Sequence, residues 1–468
     1  MLTQDHAATN AGMISARLDR LPATYSLWRR VVLLSLGGFF EFYDLFFTGY
    51  IAPGLVRSGI LTPSTPGLFG TTGIAGFVAA MFAGLFIGTF LFSFLADRLG
   101  RRSVFTYSLI WYTIATVTMA FQNDVFGLNL WRFLAGIGVG VELVTIDTYL
   151  SELVPKHLRG RAFAYNQTIQ FLSVPIVAFL AWMLVPKDPL GLAGWRWVVL
   201  AGAVGAIVVW WVRREVPESP RWLAQAGRME EADAVMTDLE RRIEAEYGGP
   251  LPEPGSPEVQ AKGGSLGEMW AEMWSPAYRG RTIMMSVFHL FQTVGYYGFS
   301  NWVPTFLISR GIEVTRSLQY TFVIALAAPL GPFVASRIAD QVERKWQLVA
   351  AAAGIALFGL AFAQTAAPGL LILWGIGLTV SNNILSFSGH AYQTELYPTR
   401  IRALAVGFVY SWSRISVVAS AFLIAFFLDR FGVAGVFTFI AGSMVVVMGS
   451  VGFFGPRTNN LALERISR

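Results

Sequence analysis

The segment SFLADRLGRR (Ser93–Arg102) returns in degenerate form as SRIADQVERK (Ser336–Lys345). A second segment, YLSELVPKHLRG from Tyr149, returns as YQTELYPTRIRA from Tyr392. The two repeats share one offset, because 336 − 93 and 392 − 149 both give 243 residues. Two independent motifs with the same offset predict a chain made of two halves with the same topology.

Long apolar stretches without a charged residue, such as Ser58–Ala96 and Trp346–Thr394, lie around these motifs. Of the 468 residues, 54% are hydrophobic and 14% are charged, whereas globular proteins average roughly 25% charged residues. Because a membrane span needs about 20 apolar residues, we predict an all-α integral membrane protein with twelve transmembrane helices in two pseudo-symmetric six-helix bundles. The predicted spans begin near Val31, Thr72, Val104, Phe126, Ala162, Trp197, Ile283, Ser317, Gln347, Leu370, Ala403 and Val433.

The distribution of Lys and Arg predicts the orientation. If the amino terminus is cytoplasmic, the short cytoplasmic segments carry 18 Lys and Arg residues and the outside segments carry 6. Positive charge is retained on the cytoplasmic side, so we expect a bacterial inner-membrane protein with both termini cytoplasmic. The predicted organisation is a cytoplasmic segment 1–30, a bundle 31–212, a cytoplasmic loop with short helices 213–281, a bundle 282–455 and a cytoplasmic tail 456–468.

The composition of two segments outside the spans, the amino-terminal segment and the central loop, predicts their structural roles. Met1–Pro22 is polar and lacks the apolar run of a cleavable signal, so the first span is expected to direct insertion. Within the loop, Arg228–Tyr247 has the pattern of a charged amphipathic helix, and the Gly- and Pro-rich stretch Gly248–Gly264 has that of a linker.

Composition and missing motifs exclude several classes of function. The chain has no cysteine, which removes thiol catalysis and disulfide scaffolds. It has no Gly-x4-Gly-Lys-Ser/Thr string, so ATP is not expected to drive it. Its net charge of +6 forms no basic stripe with interleaved aromatics, so nucleic acid is not an expected partner. We expect a monomer in the bilayer that is neither an enzyme nor a metal protein.

Six ionisable residues fall inside predicted spans. A charge at the bilayer centre costs about 2.5–3.5 kcal/mol on insertion scales, so each such residue needs a partner or a function. Glu41 and Asp44 are three residues apart and share one face of the first span. The six residues are Glu41, Asp44, Arg132, Glu142, Asp147 and Arg414.

The string Asp97-Arg98-x-Gly100-Arg101-Arg102 resembles the most diagnostic motif of the major facilitator superfamily, and the resemblance covers nearly the whole chain. The strings RFLAGIGVG from Arg132 and PESPRWL from Pro217 resemble its sugar-porter-like branch, which includes organic-ion and vitamin carriers. The chain departs from that branch at Ser93 and Glu343, where glycines are usual. The seventh span also lacks the usual Gln-Gln pair, which argues against a sugar.

The resemblance implies a secondary active transporter that works by alternating access, with protons as the coupling ion and no other cofactor. It implies a proton-coupling carboxylate at Asp44 with Arg132 as its partner; a static buried pair is the alternative. Glu41 is a second candidate for coupling or a contact for substrate. A carboxyl group in a low-dielectric environment can take up a proton on one side of a membrane and release it on the other.

Arg414 points to the charge of the substrate. Its planar guanidinium offers paired donors that suit a carboxylate better than a sugar hydroxyl, so we expect symport of a small organic acid. A counter-ion for Glu142 or Asp147 is the alternative for Arg414, and His289 and His390 are interpreted as packing residues. The predicted substrate-binding residues are Arg414, Tyr43, Glu142, Gln167, Gln292, Tyr296, Tyr297, Asn301, Trp302, Asn382, Asn383, Ser386 and Tyr410.

The paired charges of the repeated motifs resemble a cytoplasmic gate that holds the halves together when the cavity faces outward. Two rival functions keep the same fold: an exporter of amphipathic cations, which the excess of interior acids favours, and a sugar or polyol:proton symporter. The predicted gate residues are Asp97, Arg101, Glu152, Arg159, Asp340, Arg344, Glu395 and Arg402.

Overall fold

The computed structural model describes residues 12–62, 65, 73–92, 98–205, 211, 215–255, 265–338 and 342–458. These residues form helices and connecting turns, with no β-strand among them. The helices are α1 (12–19), α2 (Tyr25–Tyr50), α3 (Ala52–Arg57), α4 (Gly73–Phe92), α5 (Arg101–Ala120), α6 (Val125–Leu153), α7 (Arg159–Leu184), α8 (Gly194–Gly202), α9 (Pro220–Gln225), α10 (Met229–Tyr247), α11 (Leu266–Met273), α12 (Arg279–Ser300), α13 (Val303–Ser309), α14 (Val314–Ala325), α15 (Leu330–Ile338), α16 (Arg344–Gln364), α17 (Pro368–Glu395) and α18 (Thr399–Phe454).

The predicted spans coincide with these helices. Eleven predicted starts lie within six residues of a helix start, and the largest difference is at α2, which begins at Tyr25 rather than Val31. The twelfth start, Val433, adjoins Gly432, where α18 turns between the last two spans with φ of 63°. Only glycine adopts that conformation without strain. In the described ranges, eight helices are long and apolar enough to cross a membrane, and the all-α membrane fold is confirmed.

The helices form two bundles with separate apolar cores. In the first half α2 packs on α7, while α4 and α5 pack on α6; in the second half α12 and α16 pack on α18, and α17 packs on α16. Small residues allow the closest approaches, as membrane helices require. A Cβ added at Gly84 would lie 2.1 Å from the Phe133 carbonyl oxygen, so α4 and α6 touch through their backbones.

The internal repeat has a structural counterpart. Arg101 pairs with Glu152 at 2.9 Å in the first half, and Arg344 pairs with Glu395 at 2.9 Å in the second. The two pairs occupy equivalent positions of the repeat. Two further bonds recur: the Nε of Arg159 and of Arg402 donates to the carbonyl oxygen five residues earlier, and the hydroxyl of Tyr149 and of Tyr392 donates to a proline carbonyl oxygen.

We call the end of the molecule that carries Arg101 and Arg344 the motif end. At the opposite end the halves are in contact: α2 meets the α12–α13 junction, where a Cβ added at Gly49 would lie 2.1 Å from the carbonyl oxygen of Asn301. Trp182 of α7 also stacks on Phe322 of α14, with ring centroids 5.7 Å apart. The structure is therefore closed at the end opposite the motifs.

The loop between the bundles is divided between the two halves. Helices α9 and α10 pack with α1 around an apolar cluster that includes Leu18, Trp222 and Met236. Asp19 ties this cluster to the first half by accepting from the Lys156 backbone N–H at 2.8 Å. Helix α11 instead packs on α18 of the second half. The predicted amphipathic helix is thus present, and the boundaries 31–212 and 282–455 stay predictions.

Candidate substrate and proton site

Asp44 and Arg132 form a buried ion pair inside the first half. The Arg132 Nη1 donates to Asp44 Oδ2 at 2.9 Å, and Nη2 donates to the Asp44 carbonyl oxygen at 2.6 Å and to the Thr48 hydroxyl. Thr116 donates to Asp44 Oδ1 at 2.9 Å. The side chains are 0% and 2% exposed for Arg132 and Asp44. Each carboxylate oxygen of Asp44 thus accepts one side-chain hydrogen bond.

Aromatic rings complete the surroundings of this pair. The Arg132 guanidinium carbon lies 4.4 Å from the Phe47 ring centroid and 5.5 Å from that of Phe77. Cation–π contacts stabilise an arginine without neutralising it. Among the described residues, Asp44 is the one carboxylate bonded directly to Arg132, and the role of the pair in proton coupling stays a prediction.

Two other acids of the first half are buried without partners. Glu41 of α2 and Glu142 of α6 are each 0% exposed, and neither carboxyl has a hydrogen-bond partner for either of its oxygens among the described residues. Glu142 fits against Gly37, where its Oε1 would lie 3.0 Å from an added Cβ. Glu41 interacts electrostatically with Asp147, Arg414 and Asp44. The acids that the sequence singles out are therefore brought into one cluster.

Arg414 lies in the second half and is 3% exposed. Its Nη2 donates to the Tyr410 hydroxyl at 3.1 Å, and its guanidinium carbon lies 4.8 Å from the Tyr410 ring centroid. Its Nε has no hydrogen-bond partner in the described part of the chain. Tyr410 thus holds a guanidinium that keeps donor capacity for an anion, in the manner of bidentate carboxylate binding.

Two histidines flank Tyr410, a contact that the sequence interpretation missed. The rings of His289 and His390 each lie 5.3 Å from the Tyr410 ring. His289 Nε2 is hydrogen-bonded to Gln393 Oε1 at 2.7 Å, and its Nδ1 has no partner within the described ranges. The spacing of His289 from Gln292 and Tyr296, three and seven residues, places it on the same helix face as predicted lining residues and could have identified it.

Several predicted lining residues do gather near the interface of the halves. Tyr296 and Tyr297 lie 4.9 Å apart between ring centroids, and Tyr297 lies 4.9 Å from Phe82 of the first half. Gln292 is buried on the same helix, and the amide of Asn382 is buried with no hydrogen-bond partner in the described residues. Of these residues, Tyr297 lies directly against the first half.

Other predicted residues serve packing contacts in this structure. Tyr43 donates to the Val198 carbonyl oxygen at 2.7 Å inside the first half, and Asn383 donates to the Ala328 carbonyl oxygen at 2.8 Å. Trp302 stacks on Phe306 within the second-half core. The backbone of Asn301 faces Gly49. The carbonyl oxygen of Ser386 is hydrogen-bonded to His390. Gln167 is half-buried on α7.

The acidic cluster has one exposed member, which lies on the side of the motif end. Asp147, five residues beyond Glu142 toward that end, is exposed yet interacts electrostatically with Glu41. Toward the opposite end, a small cavity lined by Phe46, Tyr296 and Asn383 lies between the halves. The exposed Asp147 thus lies nearer the motif end than the buried Glu142 on the same helix.

The described gate residues pair within their own halves. Arg101 donates to Glu152 through both Nε and Nη2, and the backbone N–H groups of Arg101 and Arg102 donate to Glu218, a contact that the sequence interpretation missed. Arg159 and Arg402 bond backbone oxygens, while Asp97 and Asp340 lie outside the described residues. The gate between halves stays a prediction for the state that is closed at the motif end. Within the described ranges, no group of three or more His, Asp or Glu could hold a metal ion.

Comparisons with known proteins agree with this architecture. The profile of the family "Sugar (and other) transporter" matches residues 31–468. A Bacillus subtilis (strain 168) protein named for metabolite transport, YyaJ, is 33% identical, with 97% of each chain covered. The niacin transporter NiaP of Acinetobacter baylyi is 26% identical, with 96% of this chain and 99% of the relative covered.

A solved structure of the xylose transporter XylE from E. coli, in a partially occluded inward open conformation, matches with a TM-score of 0.73 and 18% identity, covering 93% of this chain and 99% of that one. At that identity the likeness shows the fold. The family match over almost the whole chain shows more, and the chain belongs to the sugar (and other) transporter family of the major facilitator superfamily.

Proposed function

We propose that the protein imports a small organic acid across the bacterial inner membrane together with protons, with its motif end in the cytoplasm. The observation that carries this proposal is the central arrangement of charge. A buried arginine, Arg414, is bonded to Tyr410 with donor capacity to spare, and a buried acid–arginine pair, Asp44 and Arg132, lies in the other half.

The anionic substrate follows from the chemistry of Arg414. A guanidinium stays charged at all physiological pH values, and its planar fork matches a carboxylate. Tyr296 and Tyr297 provide flat surfaces beside it, which suit an aromatic or other flat acid. A relative is named as a niacin transporter, and niacin is an aromatic carboxylic acid.

The coupling step is assigned to Asp44. When Asp44 is ionised, it holds Arg132 by a direct bond and the first half has the compact arrangement described above. When Asp44 carries a proton, the charge attraction is lost and Arg132 becomes free to change partners. A bistable pair of this kind can link proton binding to the rocking of the two halves.

The test is Asp44→Asn in purified, reconstituted protein. A carboxylate that stabilises the folded protein in a thermal-shift screen supplies the labelled substrate. The variant mimics a permanently protonated Asp44, so it should retain exchange of substrate for substrate and lose accumulation driven by a pH gradient. Asp124→Asn is the matched control, because Asp124 only caps α6 through the Gly127 N–H and asparagine caps equally well.

A variant that still concentrates substrate in response to a proton gradient would refute the assignment to Asp44. An exporter of amphipathic cations is the second candidate, since Glu41 and Glu142 are buried acids without partners among the described residues. Binding of lipophilic cations, with no carboxylate bound, would favour that candidate.

A further inference from the structure

Glu41 and Arg414 occupy the same depth in the molecule. Glu41 lies on α2, which begins at Tyr25, and Arg414 lies on α18, which begins at Thr399. Both helices begin at the motif end, so at 1.5 Å per residue both side chains start about 22–24 Å along their helices. One belongs to the first half and the other to the second.

These two opposite charges interact but are not bonded. Each group contributes electrostatically to the other, yet both oxygens of Glu41 and the Nε of Arg414 have no hydrogen-bond partner among the described residues. Tyr410 accepts a hydrogen bond from Arg414 within the second half. Glu41 is 0% exposed, so water does not solvate the unpaired oxygens.

Burial of a carboxyl group without a hydrogen-bond partner is unfavourable unless something binds it. A ligand that lies between the halves with a carboxylate on Arg414 has its remaining atoms on the side of Glu41. If those atoms include a cationic or N–H-bearing nitrogen, one molecule satisfies both residues. Such a ligand also links α2 to α18, and thereby the first half to the second.

We infer that the substrate is dipolar: a carboxylate that binds Arg414 and a basic nitrogen that binds Glu41. The inference rests on the proposed function, because it keeps Arg414 as the carboxylate site and adds a second pole. Glu142 lies within the first half, in the notch at Gly37, and its electrostatic neighbours among the acids are Glu41 and Asp44.

Matched probes test the two poles. The dipolar probes are 3-(aminomethyl)benzoate and 4-(aminomethyl)benzoate, which carry both charges at two different spacings. Their controls, 3-ethylbenzoate and 4-ethylbenzoate, have the same shape without the cation. The third probe, 4-ethylbenzylammonium, has the cation without the carboxylate. Binding to the purified full-length protein is measured by calorimetry in detergent. The better dipolar probe should bind about 10- to 100-fold more tightly than its ethyl analogue, as a charge-assisted hydrogen bond would give.

Three variants locate the effect. Glu41→Gln should bind the dipolar and ethyl probes equally, Glu41→Asp should recover part of the preference, and the control Asp124→Asn, at the cap of α6, should retain it. Unchanged thermal unfolding shows that each variant is folded. Equal affinities in the wild type, or a preference that survives Glu41→Gln, would overturn the inference while leaving an organic-acid carrier. A preference lost equally in Asp124→Asn would also overturn it.

The remaining outcomes separate the inference from the proposed function. If only 4-ethylbenzylammonium binds, the carboxylate site at Arg414 is wrong and both proposals fail. If none of the probes binds at millimolar concentration, the dipolar class is overturned, and the carboxylate screen with Asp44→Asn still decides the proposed function.

Discussion

Gly49 provides a direct test of the closed end of the molecule. It lies where α2 of the first half meets the backbone of Asn301 in the second half, and a Cβ placed there would lie 2.1 Å from the carbonyl oxygen and 2.6 Å from the carbonyl carbon. These are backbone atoms, so no side-chain rotation relieves the overlap. Gly49→Ala should therefore prevent the halves from closing at this end.

The size of the effect follows from the overlap. Ordinary contact begins at 3.4 Å, so an oxygen at 2.1 Å must withdraw by more than an ångström. Overpacking of this kind costs about 1–3 kcal/mol. Since the clash is between halves and not within one, the cost falls on this conformation and not on the folding of either bundle. The population closed at the opposite end should fall about 5- to 150-fold relative to the other state.

A cysteine reporter measures that shift. The chain contains no cysteine, and Thr321, which is 2% exposed and lines the cavity between the halves, is the reporter site. In Thr321→Cys protein, adding Gly49→Ala should accelerate maleimide labelling from the end opposite the motifs. Gly442→Ala, with nothing within 4 Å among the described residues, should leave the rate unchanged.

Gly84→Ala separates gating from stability. Its added Cβ meets the Phe133 carbonyl oxygen at the same 2.1 Å, but within the first half. It should lower the unfolding temperature without accelerating labelling at Thr321→Cys. If Gly49→Ala leaves both the labelling rate and transport unchanged, the halves do not close through this contact and the reasoning is refuted.

The other predictions concern charge, orientation and pH. Arg414→Lys should weaken carboxylate binding at least about tenfold although it retains the charge, and calorimetry showing unchanged affinity would remove the anion site. Gly255→Cys should react with an impermeant maleimide only from the cytoplasm and Lys187→Cys only from outside, so reversed labelling would overturn the proposed orientation. Burial by itself would raise the pKa of Glu240, but hydrogen bonds from Arg17 and Arg20 outweigh it and lower that pKa. The docking of α1 on α10 is therefore stabilised above the unfolded-state pKa of about 4.3 and weakened as pH falls through the lower folded value. Hydrogen exchange in α1 should increase on acidification, and should do so less in Glu240→Gln.

The repeat and the spans could be predicted because they depend on spacing along the chain. The common offset of the repeated motifs placed Arg101 and Arg344 at equivalent positions. In the structure each arginine pairs with the glutamate at the equivalent position of its own half. Span positions follow from apolar length alone, which is why the predicted starts lie so close to the helix starts.

Side-chain directions could not be predicted in the same way. Consecutive residues of a helix point about 100° apart, so Tyr43 turns to Val198 inside its bundle while its neighbour Asp44 meets Arg132. Which face of a helix meets which neighbour depends on how the bundles assemble. For that reason the sequence singled out Tyr410 but not the histidines on either side of it.

Contacts between segments that are far apart in the chain could not be predicted from the sequence either. The amphipathic pattern of α10 predicted an apolar face, but its partner α1 lies near the amino terminus, with the whole first bundle between them in the chain. Glu218, which accepts the backbone N–H groups that follow Gly100, belongs to a string noted only for its resemblance to the family.

Each end of the described chain is fastened to a different half. Near the beginning, Asp19 binds Arg221 and the Lys156 backbone of the first half. Near the end, Pro456 accepts from Tyr392, while Thr458 donates to Glu343 of the second half. All of these contacts lie at the motif end, where rocking of the halves changes their separation most. The distance between two fluorophores attached near the chain ends would therefore report the opening and closing of the cavity without altering any residue of the spans.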